Sequence, residues 1–497
     1  MTTNFKLAAM VAAWAVLGLG CPYSGDDDDA AGYGGYEDDD NGGDYYGDDD
    51  DATGDDDDAG EPGDNEDPPD DVGPPPEDGE DTLCKEAPEE PTTWFVSADD
   101  SNSMAQPTLY RMAIESGANI WASPRLYEFL NYYDFDYGAG SGVRLVPQLR
   151  ETEDGYSFLV GVVGPDRDND ARRPLNLTFS LDLSGSMGGS GMNGMRDAMR
   201  VIAGELREGD MVSMVGWSSS TNVLLDSHAI TGPDDATFLG IVNSLSSGGS
   251  TDLDGGLNRA YALAQQNATS TSINRVVLIS DGGANVGNTS ATLIGDNAED
   301  QQEDAIYLAA IGTGNIQEAF MDEITDLGKG AYMYVDGLAE AERLLSGDRF
   351  LAAFDLAAKN VQLQVTLPEG IVIDVFSGEE ISEDPDEVRP QHLAPNDAML
   401  YHFDLVDCMQ EASGRQVGLQ VTWTEPLTGT QEVATLDVTW DELLVGPTHA
   451  VHKADAILRY ARLAAGEDLD PQLVQDAANA YPSDTDLQEI AALVQQL

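Results

Sequence analysis

The sequence predicts an α/β fold in which a doubly wound, Rossmann-like domain is inserted into an antiparallel β-sandwich, with a helical C-terminus and a disordered acidic linker at the N-terminus. Three observations predict it. From Leu175 to Val335, short apolar runs alternate with helically spaced segments, the pattern of a parallel sheet covered on both faces. On either side of that unit lie strands with one apolar face, and a hairpin left alone on one side would be marginal, so the flanks are expected to pair with each other. Between Pro22 and Asp81 stand 27 Asp and Glu and no Lys or Arg, too little apolar surface to offset chain entropy.

At the N-terminus, Lys6 precedes a 14-residue apolar stretch, Leu7 to Gly20, which is short for a membrane span and has the charge and length of a secretory signal. Cys21 follows directly. The run Leu17-Gly18-Leu19-Gly20-Cys21 resembles a bacterial lipobox, in which a small residue precedes a cysteine that is lipidated after cleavage. It departs from the usual pattern at Gly18 and Leu19, where an aliphatic and then a small residue are the rule. Residues 1–21 are therefore expected to be a lipoprotein-type signal, with ordinary secretion as the alternative, and residues 22–92 an extended, self-repelling linker without the spacing of a calcium loop. The chain has three cysteines; if Cys21 carries lipid, Cys84 and Cys408 remain as an even pair in an oxidising compartment, either bonded or as two unrelated thiols. Of 92 acids and 23 bases in 497 residues, removing those 27 acids and Lys6 leaves 65 acids against 22 bases from Thr82 onward. So acidic a body argues against nucleic acid as a partner.

Residues 93–140 carry helical patterns near Thr108 to Glu115 and Pro124 to Tyr132, and an aromatic cluster of Tyr127, Phe129, Tyr132, Tyr133, Phe135 and Tyr137 that reads as core rather than a ligand cage. Residues 141–172 form a hairpin, Val143 to Leu149 and Tyr156 to Val163, joined through Asp154-Gly155. The α/β domain, 173–350, opens with the strand Leu175 to Leu183. Met195, Met199, Ile202 and Leu206 then recur at helical spacing before the strand Met211 to Trp217. Helices at Asp234 to Leu245 and Asp254 to Gln266 precede the continuous apolar run Val276 to Ile279; strands Ile306 to Ile311 and Tyr332 to Val335 and helices Glu318 to Leu327 and Leu338 to Leu345 complete it. In 351–446, Val361 to Leu367, Val417 to Trp423 and Leu436 to Trp440 alternate as half-buried strands. In 447–497, Ala450 to Ala465 is an amphipathic helix with Val451, Ala454, Leu458 and Ala461 on one face, followed by one or two shorter helices.

The candidate site begins at the carboxyl end of the first α/β strand, where open sheets place their crevices. Asp182, Ser184 and Ser186 stand there, with Thr251 and Asp281 downstream. All five are hard oxygen donors, the set that suits Mg²⁺ or Mn²⁺. Asp182-x-Ser184-x-Ser186, Thr251 in Gly248-Gly249-Ser250-Thr251, and Asp281 in Ser280-Asp281-Gly282-Gly283 resemble the metal-ion-dependent adhesion site of von Willebrand factor type A domains. The resemblance implies that the hydroxyls touch the metal, that the aspartates bind it directly or through water, and that one position stays open for an acidic group of a partner. A domain that keeps the fold and has lost the metal is the alternative. Gly185 is expected to let the loop turn tightly, and Gly188 to Met195 and Gly282 to Ala298 to flank the crevice.

From Trp94 onward the chain resembles bacterial lipoproteins in which a type A domain follows a small associated domain and precedes a C-terminal domain of unknown function. The likeness rests on the metal motif, on Leu126-Tyr127-Glu128-Phe129-Leu130-Asn131-Tyr132 with Phe135-Asp136-Tyr137, and on Gly312-Thr313-Gly314-Asn315. It implies an architecture and a cell-envelope location. The expectation is a metal-dependent, adhesion-type module, lipid-anchored or secreted, that binds a protein through an Asp or Glu carboxylate and performs no catalysis. A structural envelope scaffold with a stabilising metal is one alternative. A hydrolase is the other, but it needs a histidine beside its nucleophile, and His228 alone lies inside the α/β region, with no G-x-S-x-G around Ser184 or Ser186. His392, His402, His449 and His452 are scattered without metal-ligand spacing. An aspartyl phosphatase would want a second carboxylate where Ser184 stands.

Overall fold

The structure is a computed structural model that describes residues 83–99, 102–120, 123–282, 306–328, 330–410 and 412–497, all within the unit Pro76–Leu497. The apolar leader, Cys21, most of the acidic linker and the loop from Gly283 to Ala298 lie outside the described residues. The described part begins with a helical turn at Leu83–Glu86, so the ordered body starts inside the stretch 22–92 expected to be linker. Cys84 in this turn is joined to Cys408 by a disulfide across a sequence separation of 324, with Cα atoms 5.3 Å apart. In the chain-entropy picture, closing so long a loop contributes up to about 5 kcal/mol.

Strand β1 (Thr92–Ser97) follows, then helices Gln106–Ser116 and Leu126–Tyr132. The first helix has Pro107 in its opening turn, where no N–H is needed, and stops at Gly117, whose left-handed φ of 66° returns its amide to the last carbonyls. The hairpin β2 (Arg144–Glu151) and β3 (Tyr156–Val163) comes next. The α/β domain contributes β4 (Leu175–Asp182), β5 (Met211–Trp217), β6 (Thr221–Ala229), β7 (Ile273–Ser280), β8 (Ile306–Gly312) and β9 (Tyr332–Tyr334). After it come β10 (Ala358–Leu367), β11 (Ile371–Phe376), β12 (Glu380–Ser382), β13 (Gln391–Leu393), β14 (Ala398–Asp407), β15 (Gln416–Thr424) and β16 (Gln431–Thr439).

The α/β sheet runs β6-β5-β4-β7-β8-β9, parallel throughout except for the antiparallel edge strand β6. Every residue of β4 and β7 is buried, as a strand covered on both faces must be. From β4 the chain moves first to one side, into β5, and later returns to the other, into β7. The β4/β7 boundary is thus a topological switch point, with a crevice at its carboxyl end. Helix Ser190–Glu205 covers one face through Met195, Met199 and Ile202, and helix Leu253–Asn267 is buried through Leu257, Ala260, Leu263 and Ala264.

The flanking strands form a sandwich of two sheets, β12-β1-β10-β15-β16 with β13 on β10, and β11-β14-β3-β2. The chain before the α/β domain is woven into the chain after it: Trp94 of β1 opposes Val365 of β10, and Leu159 of β3 opposes His402 of β14. Val96, Phe158 and Val160 share one core with Leu363, Val365, Phe403 and Leu419. This is the insertion expected from the sequence. Trp440, read as the end of a strand, instead opens a short helix, because Thr439 and Glu442 form a reciprocal capping box at that point. The Trp440 ring stays buried and meets Tyr156 edge-on at 5.0 Å. Helix His449–Ala464 buries Val451, Ala454, Leu458 and Ala461, and its Tyr460 packs edge-on against Phe129; of the leading aromatic cluster, Phe129, Tyr132 and Tyr133 are core, Phe135 and Tyr137 pack partly buried against it, and Tyr127 is half-buried outside it. Two shorter helices, Gln472–Ala480 and Thr485–Val494, complete the C-terminus. Among the described residues no helix is long and apolar enough to cross a membrane.

Candidate metal centre

Asp182 is the last residue of β4 and is fully buried. Its Oδ1 accepts the Ser184 amide at 2.8 Å and its Oδ2 accepts the Ser280 hydroxyl at 2.8 Å, so both oxygens are aimed by neighbours. Ser280 ends β7, and its own oxygen accepts the Gly282 amide at 2.9 Å, which shapes the turn carrying Asp281. The Ser184 and Ser186 hydroxyls sit 2.9 Å apart, with Ser184 buried and Ser186 open to solvent.

Thr251 is delivered by a third loop that is tied to the first. The Gly248 amide donates to the Leu183 carbonyl at 2.7 Å, and the Gly185 amide to the Gly249 carbonyl at 3.1 Å. Behind this loop, helix Leu253–Asn267 is capped by the Asp252 side chain. It approaches β5 so closely that a Cβ on Gly256 would fall 2.2 Å from the buried Trp217 ring. Trp217 is fixed in turn by its indole N–H, which donates to Ser180 at 2.9 Å. Glycine's freedom is needed at Gly249 and Gly282, with φ of 95° and 78°, not at Gly185, whose segment is a right-handed turn. The expectation that Gly185 makes the turn possible is corrected accordingly. Of the segment Gly188 to Met195, the residues from Ser190 onward belong to helix Ser190–Glu205.

Burial pushes the Asp182 carboxyl up to about 6, against its hydrogen bonds from Ser184 and Ser280, and the charge of Asp281 pushes the same way. The Asp182 donors are hydroxyls and an amide; no base pairs with it among the described residues. Two buried carboxylates, close enough for one charge to raise the other, share this end of the sheet with two converged hydroxyls. A small divalent cation fits such a donor set and would cancel the local charge.

Sequence reasoning gave no role to Ser280 or Trp217. Ser280 stands in the quoted Ser280-Asp281-Gly282-Gly283 motif, so a signal existed; Trp217 carried none. The Gly312-Thr313-Gly314-Asn315 motif acquires a physical reason. The Thr313 amide donates to the Ser280 carbonyl at 3.2 Å, and a Cβ on Gly314 would come within 2.8 Å of Gly191 Cα, so glycine lets this loop press on the helix behind the crevice.

The histidines stand away from these residues. His228 meets the helix-capping Asp235 at 2.9 Å. His402 Nε2 lies 2.9 Å from both Ser157 Oγ and Asp455 Oδ1. Ser157 and Asp455 both meet Nε2, and the Ser377 hydroxyl lies 3.5 Å from Nδ1, at the limit of a hydrogen bond.

The topology and site define a parallel α/β domain whose switch-point crevice gathers acidic and hydroxyl oxygens. More particularly, residues 176–345 match the family model of the von Willebrand factor type A domain, and the chain contains that domain. Such domains commonly mediate protein–protein interaction. Among similar proteins, the uncharacterized protein YfbK of Escherichia coli (strain K12) is 27% identical over 68% of this chain and 60% of its own length. The inter-alpha-trypsin inhibitor heavy chain H2 of Sus scrofa is 26% identical over 33% of this chain and 18% of its own. The chain thus spans less than two thirds of these relatives. A solved von Willebrand factor type A structure from Catenulispora acidiphila aligns with a TM-score of 0.44 and 16% identity, over 72% of this chain and 91% of that one.

Proposed function

We propose that this protein is a binding module of the bacterial cell envelope in which Asp182, Ser184, Ser186, Thr251 and Asp281 hold Mg²⁺ or Mn²⁺ and a partner protein completes the metal shell with an Asp or Glu carboxylate. The observation that carries the reading is Asp182 itself, buried at the switch point beside a second carboxylate and provided only with neutral donors. The bound ion would supply a positive charge able to accept a carboxylate from an otherwise acidic body. Ser186, the exposed member of the set, stands on the side from which a partner approaches.

No catalytic step belongs to this reading. The envelope location rests on the leader and on lipidation of Cys21, which the acidic segment separates in sequence from the folded body. Cys21→Ser should release the protein from washed envelopes while leaving its metal response intact; retention of that variant would remove the lipid anchor from the proposal. For the module itself, the test is capture of an envelope protein in Mg²⁺ but not in chelator, with folded Asp182→Ala and Thr251→Ala variants as controls. Capture that survives chelation or either substitution would contradict the proposal. A metal that stabilises the fold while every capture arm stays empty would favour the scaffold alternative.

A further inference from the structure

At the opposite, N-terminal end of the same sheet, the cavity of about 440 Å³ lined by Arg173, Arg275, Tyr307 and Lys359 contains no Asp or Glu in its lining. In a chain with 92 acids and 23 bases, three cations around one carboxylate-free cavity is an unusual concentration. Arg275, in the first turn of β7, is only 7% exposed. Among the described residues it forms no ion pair; its guanidinium reaches the neighbouring Asn274 carbonyl at 3.4 Å and lies 5.0 Å from the centre of the Tyr307 ring. The Lys359 ammonium lies 5.5 Å from the same ring centre. Two cations thus share one aromatic ring, whose edge is also met by His392, and a ring offsets only part of the cost of burying a charge. The nearest compensating carboxylate, Asp355, is already engaged by Arg167, Arg173 and the Leu356 amide. Burial pulls the Arg275 guanidinium down to about 10, with Tyr307 and Asp355 acting against that and Arg173 adding to it.

We infer that this cavity is an anion site that takes a phosphoryl group, held between the Arg275 fork and the Lys359 ammonium. A guanidinium matches the oxygen spacing of phosphate in two parallel hydrogen bonds, and an ammonium adds a point charge. Arg275 and Lys359, which no carboxylate pairs among the described residues, suit a group of nearly two negative charges better than a single carboxylate, while Arg173 at the rim is held by Asp355 at 3.3 Å. The phosphoryl group has two sources, free phosphate or the phosphomonoester of a small polar molecule, and the volume admits either. The site is independent of the metal crevice and survives the failure of that reading.

Thermal unfolding of the full chain, titrated with inorganic phosphate, with glycerol phosphate and with chloride at matched ionic strength, tests it. Both phosphates should raise the unfolding temperature beyond chloride, and Lys359→Gln should raise the apparent Kd roughly tenfold or more, the size of a charged hydrogen bond. Arg200→Gln, which removes an exposed charge on helix Ser190–Glu205, should leave the response unchanged. Arg275→Gln should abolish it where circular dichroism shows the variant folded; Lys359, half-buried at the cavity, carries the test if it is not. A larger response to glycerol phosphate assigns the site to an organic phosphomonoester, and an equal one to free phosphate. No response beyond chloride, or an equal response in Lys359→Gln, would overturn the inference.

Discussion

The two ends of the α/β sheet bury carboxylates to the same depth and treat them in opposite ways. At the N-terminal end Asp210, 1% exposed, accepts both nitrogens of the fully buried Arg172 at 2.7 and 2.6 Å and the amides of Leu175 and Arg207. At the C-terminal end Asp182, 0% exposed, meets only an amide and the hydroxyls of Ser184 and Ser280. Burial is therefore not what distinguishes a structural carboxylate from a binding one; the partner set is. Asp210 is matched by one fixed cation and two backbone amides, whereas Asp182 has only neutral donors beside a second acid, which is why completion from outside is proposed for it. The same contrast holds for the bases, since Arg172 is paired and Arg275 is not.

The largest expected effect is at the paired end. Asp210→Ala should destabilise the protein by about 3–5 kcal/mol in chemical denaturation, because it strands the buried Arg172 guanidinium. A loss under about 1 kcal/mol would mean that water reaches Arg172. Asp182→Asn should have the opposite sign in metal-free buffer at neutral pH. Burial has moved its carboxyl from 3.8 to about 6, so neutralising it should stabilise the apo protein by up to about 3 kcal/mol. A loss comparable to that of Asp210→Ala would erase the difference between the two ends.

The smallest effect concerns Asp235, which lies at the paired end and caps helix Ala236–Ser244. Burial works to raise its pKa, but hydrogen bonds from Thr231, Phe238 and His228 outweigh that and hold the carboxyl well below the ordinary range. A depressed carboxylate stabilises the fold above its unfolded pKa of about 3.9 and loses that contribution as pH falls through the folded value. Asp235→Ala should thus cost about 1 kcal/mol at pH 7, and the gap to the wild type should close in acid. A gap that stays constant down to acid pH would show that Asp235 acts through packing alone.

The C-terminal end of the sheet was legible in the sequence and the N-terminal end was not. β4 sets Leu175, Leu177, Phe179 and Leu181 at every second position and β7 carries the apolar run Val276 to Ile279, each stops at the site, and the three site segments follow in chain order, so pattern and chemistry coincide. The basic cavity draws Arg173, Arg275 and Lys359 from three distant places, and no local spacing announces it. β6 escaped because it is a half-exposed edge strand without clean alternation, its register broken near Met214 and Ser227 held at a φ of 50°. β14, between β11 and β3, is buried nearly throughout, one face in the sandwich core and the other against helix Leu126–Tyr132 and Asp455, and Ala398 to Val406 therefore shows no period of two. β1 is too short to announce itself before its partner β10, more than 250 residues later, is known.

If a divalent cation completes the C-terminal end of the sheet, as proposed, its binding must stabilise the native state. The most direct measurement is the unfolding temperature of the residue 83–497 body within the full chain as Mg²⁺ or Mn²⁺ is titrated, for the wild type and for Asp281→Ala. A ligand held only by the native state stabilises it by mass action, so the wild type should gain stability with a saturable dependence and Asp281→Ala should gain none. An equal rise in both proteins would place the metal elsewhere, and no rise in the wild type would contradict the account.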